Sequence, residues 1–167
     1  MPSLNWFILL IAAFIPLLIG FIYYHPKVFG TRLANLTDKP VDQILGNRTI
    51  GRLILIYVFS LFWTYLLTFA TVHQAAIFQL FFMDPNLADA NHEYNQYIAE
   101  FMSKYGDRHR SFGHGMIHGA ENGLCWGIGF LGITTILQGK PLKPMWIHLG
   151  FGILCCSLMA GLICEFL

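Results

Sequence analysis

The sequence predicts an all-α polytopic membrane protein: an antiparallel four-transmembrane-helix bundle with an amphipathic helix in the second loop. Three observations carry this. Of 167 residues, 56% are hydrophobic and only 11% are charged, against about 25% charged in a soluble domain. The apolar residues gather in four long continuous runs, not in short alternating ones, so helices rather than barrel strands are indicated. Ten Lys and Arg against nine Asp and Glu leave a formal charge of +1. No basic field is available for nucleic acid, and the expected partner is the lipid bilayer. A single membrane domain, 1–167, accounts for the whole chain.

A bilayer core of about 30 Å takes about 20 helical residues. The first run, about 4–24, contains no charge. It lacks a basic leader, and Tyr23, Tyr24 and His25 stand where a cleavage site would need small residues, so it reads as a retained helix. Pro16 should kink it. The second run, about 53–82, is longer than one crossing needs; it must tilt, or one end must leave the hydrocarbon. The third covers about 112–137 and the fourth about 145–166. In the first loop Val41, Ile44 and Leu45 follow Pro40 as a short helix would, with Gly46 and Asn47 ending it. In the second loop Leu87, Asn91, Tyr94, Ile98, Phe101 and Tyr105 recur at spacings of three and four, the mark of an amphipathic helix lying on the membrane surface. Trp6, Tyr23, Tyr24, Tyr57 and Trp146 fall near span ends, as an aromatic belt would.

Lys27, Arg32, Lys39, Arg48 and Arg52 lie in the first loop and Lys140 and Lys143 in the third, against Lys104, Arg108 and Arg110 in the second. The positive-inside rule then places the first and third loops in the cytoplasm and both termini outside. The sequons at Asn35 and Asn47 fall on the wrong side for glycosylation.

Two segments carry a family likeness. Gly20-Phe-Ile-Tyr-Tyr-His-Pro-Lys-Val-Phe-Gly30 resembles the end of the first helix in the bacterial domain-of-unknown-function 1761 family. Cys125-Trp-Gly-Ile-Gly-Phe130, followed by Gly139-Lys-Pro and then Trp146 and Gly150, resembles that family's third helix, short loop and fourth helix. Tyr23 stands where the family usually has Trp. The resemblance implies a four-helix protein of the bacterial inner membrane and brings no activity with it.

Glu121 is the charged residue deepest in a span. A charge at the bilayer centre costs about 3 kcal/mol or more, so such a carboxylate should face protein or water and is a functional candidate. His114, His118, Glu121 and Cys125 are spaced four, three and four apart, which puts them within roughly 60° on one helix stripe. Imidazoles at i and i+4 can grip one ion, and a carboxylate one turn further can complete or orient the site. Antiparallel helices bring His73 to a matching depth. The expected pocket is therefore His73, His114, His118 and Glu121, with Glu165 at the same end. It admits three readings: an interhelical polar lock, a site for a transition metal or b-type haem, or a proton pathway in a small oligomeric carrier centred on Glu121. A two-haem bundle would add His25 and His148 as an inner pair.

Cys125, Cys155, Cys156 and Met159 lie at similar depth, a soft set that suits Cu(I) if it is not simply core. His92 and His109 read as solvated loop residues. Gly115, Gly119, Gly123 and Gly127 form a ridge at every fourth position, which lets a neighbouring helix approach closely, within the chain or in a homo-oligomer. No nucleophile elbow, phosphate loop or dinucleotide fingerprint is present, and His114-Gly-Met-Ile-His118 lacks the Glu that a zincin places after its first His. No catalytic residue is named.

Overall fold

The computed structural model describes residues 5–45, 49–89 and 91–167. The expected helix start at Leu4, the helix stop at Gly46 and Asn47, and the sequon asparagine Asn47 lie outside them. All regular structure among the described residues is helical.

The first apolar run is two helices, α1 (Trp6–Ala12) and α2 (Ile15–Tyr23). The break falls at Ala13 and Phe14, just ahead of Pro16, which has no N–H to offer the Ala12 carbonyl and whose ring crowds it. A π-helical turn (Pro26–Gly30) leads into α3 (Thr31–Thr37) and α4 (Val41–Leu45). Only the last of these three is signalled by the sequence pattern.

The second run is corrected by the structure. It forms α5 (Ile50–Thr71), about 33 Å long at 1.5 Å per residue, and then breaks at Val72–Gln74 before α6 (Ala75–Leu80). Thr71 and Val72, two adjacent β-branched residues, are poor helix formers. The buried Gln74 amide then fixes the turn by donating to the carbonyls of Tyr105 (3.1 Å) and Arg108 (2.8 Å). A 3₁₀ turn (Pro85–Ala88) precedes the amphipathic α7 (Glu93–Tyr105), which buries Ile98 and lays Tyr94 on Phe81 with centroids 4.8 Å apart.

The third run is helical throughout but not uniform. It comprises α8 (Phe112–Gly127), a π-helical turn (Ile128–Gly132) and α9 (Ile133–Leu137). The fourth is α10 (Leu142–Phe166). Among the described residues three helical stretches are long and apolar enough to cross a membrane: Trp6–Tyr23, Ile50–Thr71 and Leu142–Phe166. The 112–137 stretch is not among them, because α8 ends after 16 residues and carries His114, His118, Glu121 and Asn122.

The axis of the fold is α10, which buries Cys155, Cys156, Met159 and Ile163 against Leu9 and Ala12 of α1 and Leu67 of α5. On its other side lies α8. A Cβ at Gly115 would run into the Ala160 carbonyl, one at Gly119 into the Cys156 carbonyl, and one at Gly127 into the Leu149 side chain; at Gly123 it would stand 2.8 Å from the Ile153 Cα. The glycine ridge is thus filled by α10 of the same chain. A second buried row lies on α5, where Ser60, Thr64, Thr68 and Thr71 each donate to the carbonyl four residues back, at 2.8, 2.6, 3.2 and 2.7 Å. Their spacing of four, four and three was the available signal, and their satisfied hydroxyls let α5 lie close to its neighbours.

Candidate metal centre

His73 sits in the turn that separates α5 from α6. His114 and His118 occupy the first turns of α8, which Ser111 caps by accepting from the His114 N–H at 3.3 Å. The helix break and the i, i+4 pair converge. Nε2 of His114 lies 3.0 Å from Nε2 of His73 and 3.1 Å from Nε2 of His118. One ligand nitrogen from each ring lies within 4.8 Å of the other two. The rings meet at steep angles: 87° for His73 and His118, 77° for His114 and His118, 67° for His73 and His114. Edge-on imidazoles gathered in this way suit one small ion and leave no slot for a flat macrocycle between them.

Glu121 lies beside His118, outside the ring of converging nitrogens. Its Oε2 lies 3.5 Å from Nδ1 of His118, the nitrogen that points away from the cluster, and its side chain is 67% exposed against 24% for His118. The reason is angular. Glu121 comes two residues after Gly119, about 200° around the helix from the face packed on α10. It stands behind His118 and is not itself among the converging ligand atoms.

That position constrains the protons. A carboxylate facing Nδ1 favours the tautomer with its proton there and leaves the Nε2 lone pair of His118 facing inward. The contact with His114 then needs a proton on His114 Nε2, and the contact with His73 needs the same one. One proton serves two short contacts, whereas a cation among the three lone pairs would satisfy all of them. His73 is already biased toward the neutral form: burial, then the neighbouring His118 and His109, push its pKa down.

His109 is nearer than the sequence indicated. It adopts a left-handed backbone (φ 63°), stacks on His114 with centroids 5.1 Å apart, and accepts from the Cys164 thiol through its carbonyl at 3.4 Å. Its neighbourhood is set by the loop's return path, which helical periodicity does not report. Glu165 is exposed and is not part of the histidine group.

The other expected constellations do not assemble. His25 caps the π-helical turn, its Nδ1 accepting from the Lys27 N–H at 3.2 Å, while His148 Nδ1 lies 2.9 Å from the Tyr24 hydroxyl. The inner histidine pair is therefore replaced by a Tyr–His pair. Cys125 is exposed, whereas Cys155, Cys156 and Met159 are buried core residues. Among the described residues, the three histidines form the one group placed to hold a metal.

A family model described as protein of unknown function (DUF1761) matches residues 7–164, and the chain belongs to that family. No curated protein and no solved structure matches it.

Proposed function

We propose that this chain is a four-span integral protein of the bacterial inner membrane that binds one divalent transition-metal ion, of the zinc class, through His73, His114 and His118. Glu121 serves as a positioning residue behind His118. The observation that carries the reading is the convergence of three imidazole nitrogens from two separate segments, with two edges at 3.0 and 3.1 Å. A tetrahedral zinc with Zn–N bonds of about 2.0–2.1 Å holds its nitrogens about 3.3 Å apart, so small ring movements suffice. Nitrogen ligands without thiolate fit zinc and its neighbours better than Cu(I).

A fourth crossing by residues 112–137 is supported by their continuous helical path along α10 and by their outward side chains. Trp126, Phe130 and Ile133 are 69%, 72% and 59% exposed, which suits lipid contact. The distribution of Lys and Arg supports both termini lying outside the cytoplasm, with the histidines in the outer half of the bundle.

The polar-lock reading draws on the same 3.0 and 3.1 Å contacts, taken as hydrogen bonds alone. Elemental analysis and cobalt absorption of the detergent-purified chain separate the two. About one ion per chain and a Co(II) ligand-field band that vanishes when all three histidines are replaced are expected. A wild-type protein that holds no more metal than the triple variant leaves the lock.

A further inference from the structure

At the other end of α10 a cleft of about 480 Å³ opens between α3 and the start of that helix. Its walls include Arg32 and Leu36 of α3, Phe29 and Tyr23, and Lys143 and Trp146 of α10. The aromatic floor is braced: Tyr23 stacks on Phe29 with centroids 4.5 Å apart and donates to the Ile147 carbonyl at 2.9 Å. Among the described residues no carboxylate lines the cleft. Among the described residues neither Arg32 nor Lys143 has a carboxylate partner. The helix begins at Leu142 without a side-chain cap, so its first amides add partial positive charge beside Lys143. One turn on, Trp146 is 55% exposed at the head of an apolar span, where an indole marks the membrane interface.

We propose that this cleft binds the anionic headgroup of a phospholipid. The Arg32 guanidinium offers a planar fork to the phosphate and Lys143 a mobile point charge. Trp146 lies where the headgroup gives way to the acyl chains. Two unpaired cations in a cleft without acids hold a phosphate more tightly than a zwitterionic headgroup, whose own ammonium would meet like charge. The surrounding loops hold seven of the ten Lys and Arg residues, a field that draws anionic lipid toward this end.

The inference rests on the membrane reading and is independent of the metal reading. Its test is native mass spectrometry of the full chain, released from nanodiscs of equimolar phosphatidylcholine and phosphatidylglycerol. The wild type should retain phosphatidylglycerol in preference. The double variant R32Q/K143Q should lower that occupancy about tenfold or more, with circular dichroism confirming unchanged helicity. K140Q, which removes a charge from the same loop outside the cleft, should lower occupancy far less than the double variant does. Absence of retained phosphatidylglycerol overturns the proposal. So does equal retention by the double variant, an equal loss in K140Q, or full displacement of the lipid by excess inorganic phosphate, which would make the cleft a site for the free ion. Release of the chain from membranes by an alkaline carbonate wash would instead overturn the membrane reading beneath it.

Discussion

The two ends of α10 face the same residue type put to different effect. At one end His73, His114 and His118 bring three ring nitrogens together from a helix break and a helix start. At the other His148 meets only the Tyr24 hydroxyl, and His25 is spent on capping its own turn. A helix supplies two ligands cheaply through i, i+4 spacing, but a third needs a chain reversal at the right height. That reversal exists where α5 stops at Thr71; beside His148 the chain also breaks, at Tyr24 and His25, but the break sets a tyrosine against the ring and no second histidine. Convergence, not histidine content, makes one end a candidate centre and the other a joint.

The most damaging way to break the contrast is to separate α8 from α10. Gly119→Leu places a side chain against the Cys156 carbonyl and should destabilise the fold by about 3 kcal/mol. The measurement is thermal unfolding in detergent, together with the yield of folded protein. Both ends should be lost together.

Next in size, His118→Ala should lower zinc affinity about a hundredfold or more, read by competition with a chromogenic chelator. His148→Ala should leave that affinity unchanged. Equal effects from the two would erase the distinction between the ends.

Glu121→Gln keeps the size of the side chain but weakens its hold on the His118 Nδ1 proton. An affinity loss of about tenfold is expected, at the low end for an outer partner because this carboxylate is 67% exposed. The ligand count should not change, which X-ray absorption can check.

The pH dependence should be milder. The pKa of His73 lies below its ordinary value of 6.5, so the ligand-competent neutral ring persists as pH falls through that value. Metal retention should therefore be lost at lower pH than a solvated histidine site would show. The sign for stability is the same: a depressed imidazole pKa favours the fold above the ordinary value, and that contribution fades as pH drops below it. A chelation curve centred above 6.5 would contradict this.

The smallest effect belongs to the joint. Tyr24→Phe removes the 2.9 Å contact to His148 and should cost about 1 kcal/mol or less, with zinc binding untouched.

Much of this architecture was legible in the chain. Pro16 marked the kink, the three-four pattern from Tyr94 to Tyr105 marked α7, and Gly115 to Gly127 announced a close helix contact. The pairing of His114 with His118 followed from spacing alone. What stayed hidden depends on where the backbone departs from regular geometry. The stop after Thr71 turned an overlong run into a helix plus a turn. The π-helical segment from Ile128 to Gly132 changes the winding inside what read as one uniform helix. The left-handed backbone at His109 carried an exposed loop residue to the edge of the cluster. The side of His118 on which Glu121 stands was not legible, because depth along a helix is readable from sequence, while the angle toward a neighbour depends on which face that neighbour chooses. Here the glycines chose for it.

The Gln74 clasp has a mechanical consequence. Gln74 is one peptide bond from His73, and its amide holds the carbonyls of Tyr105 and Arg108 at the close of the surface helix. A shift of the His73 backbone on ion loading would therefore act directly beside the mooring of α7. Slower deuterium uptake by the backbone amides of 93–105 on loading with zinc would register ion occupancy from outside the bundle, in a segment that supplies no ligand.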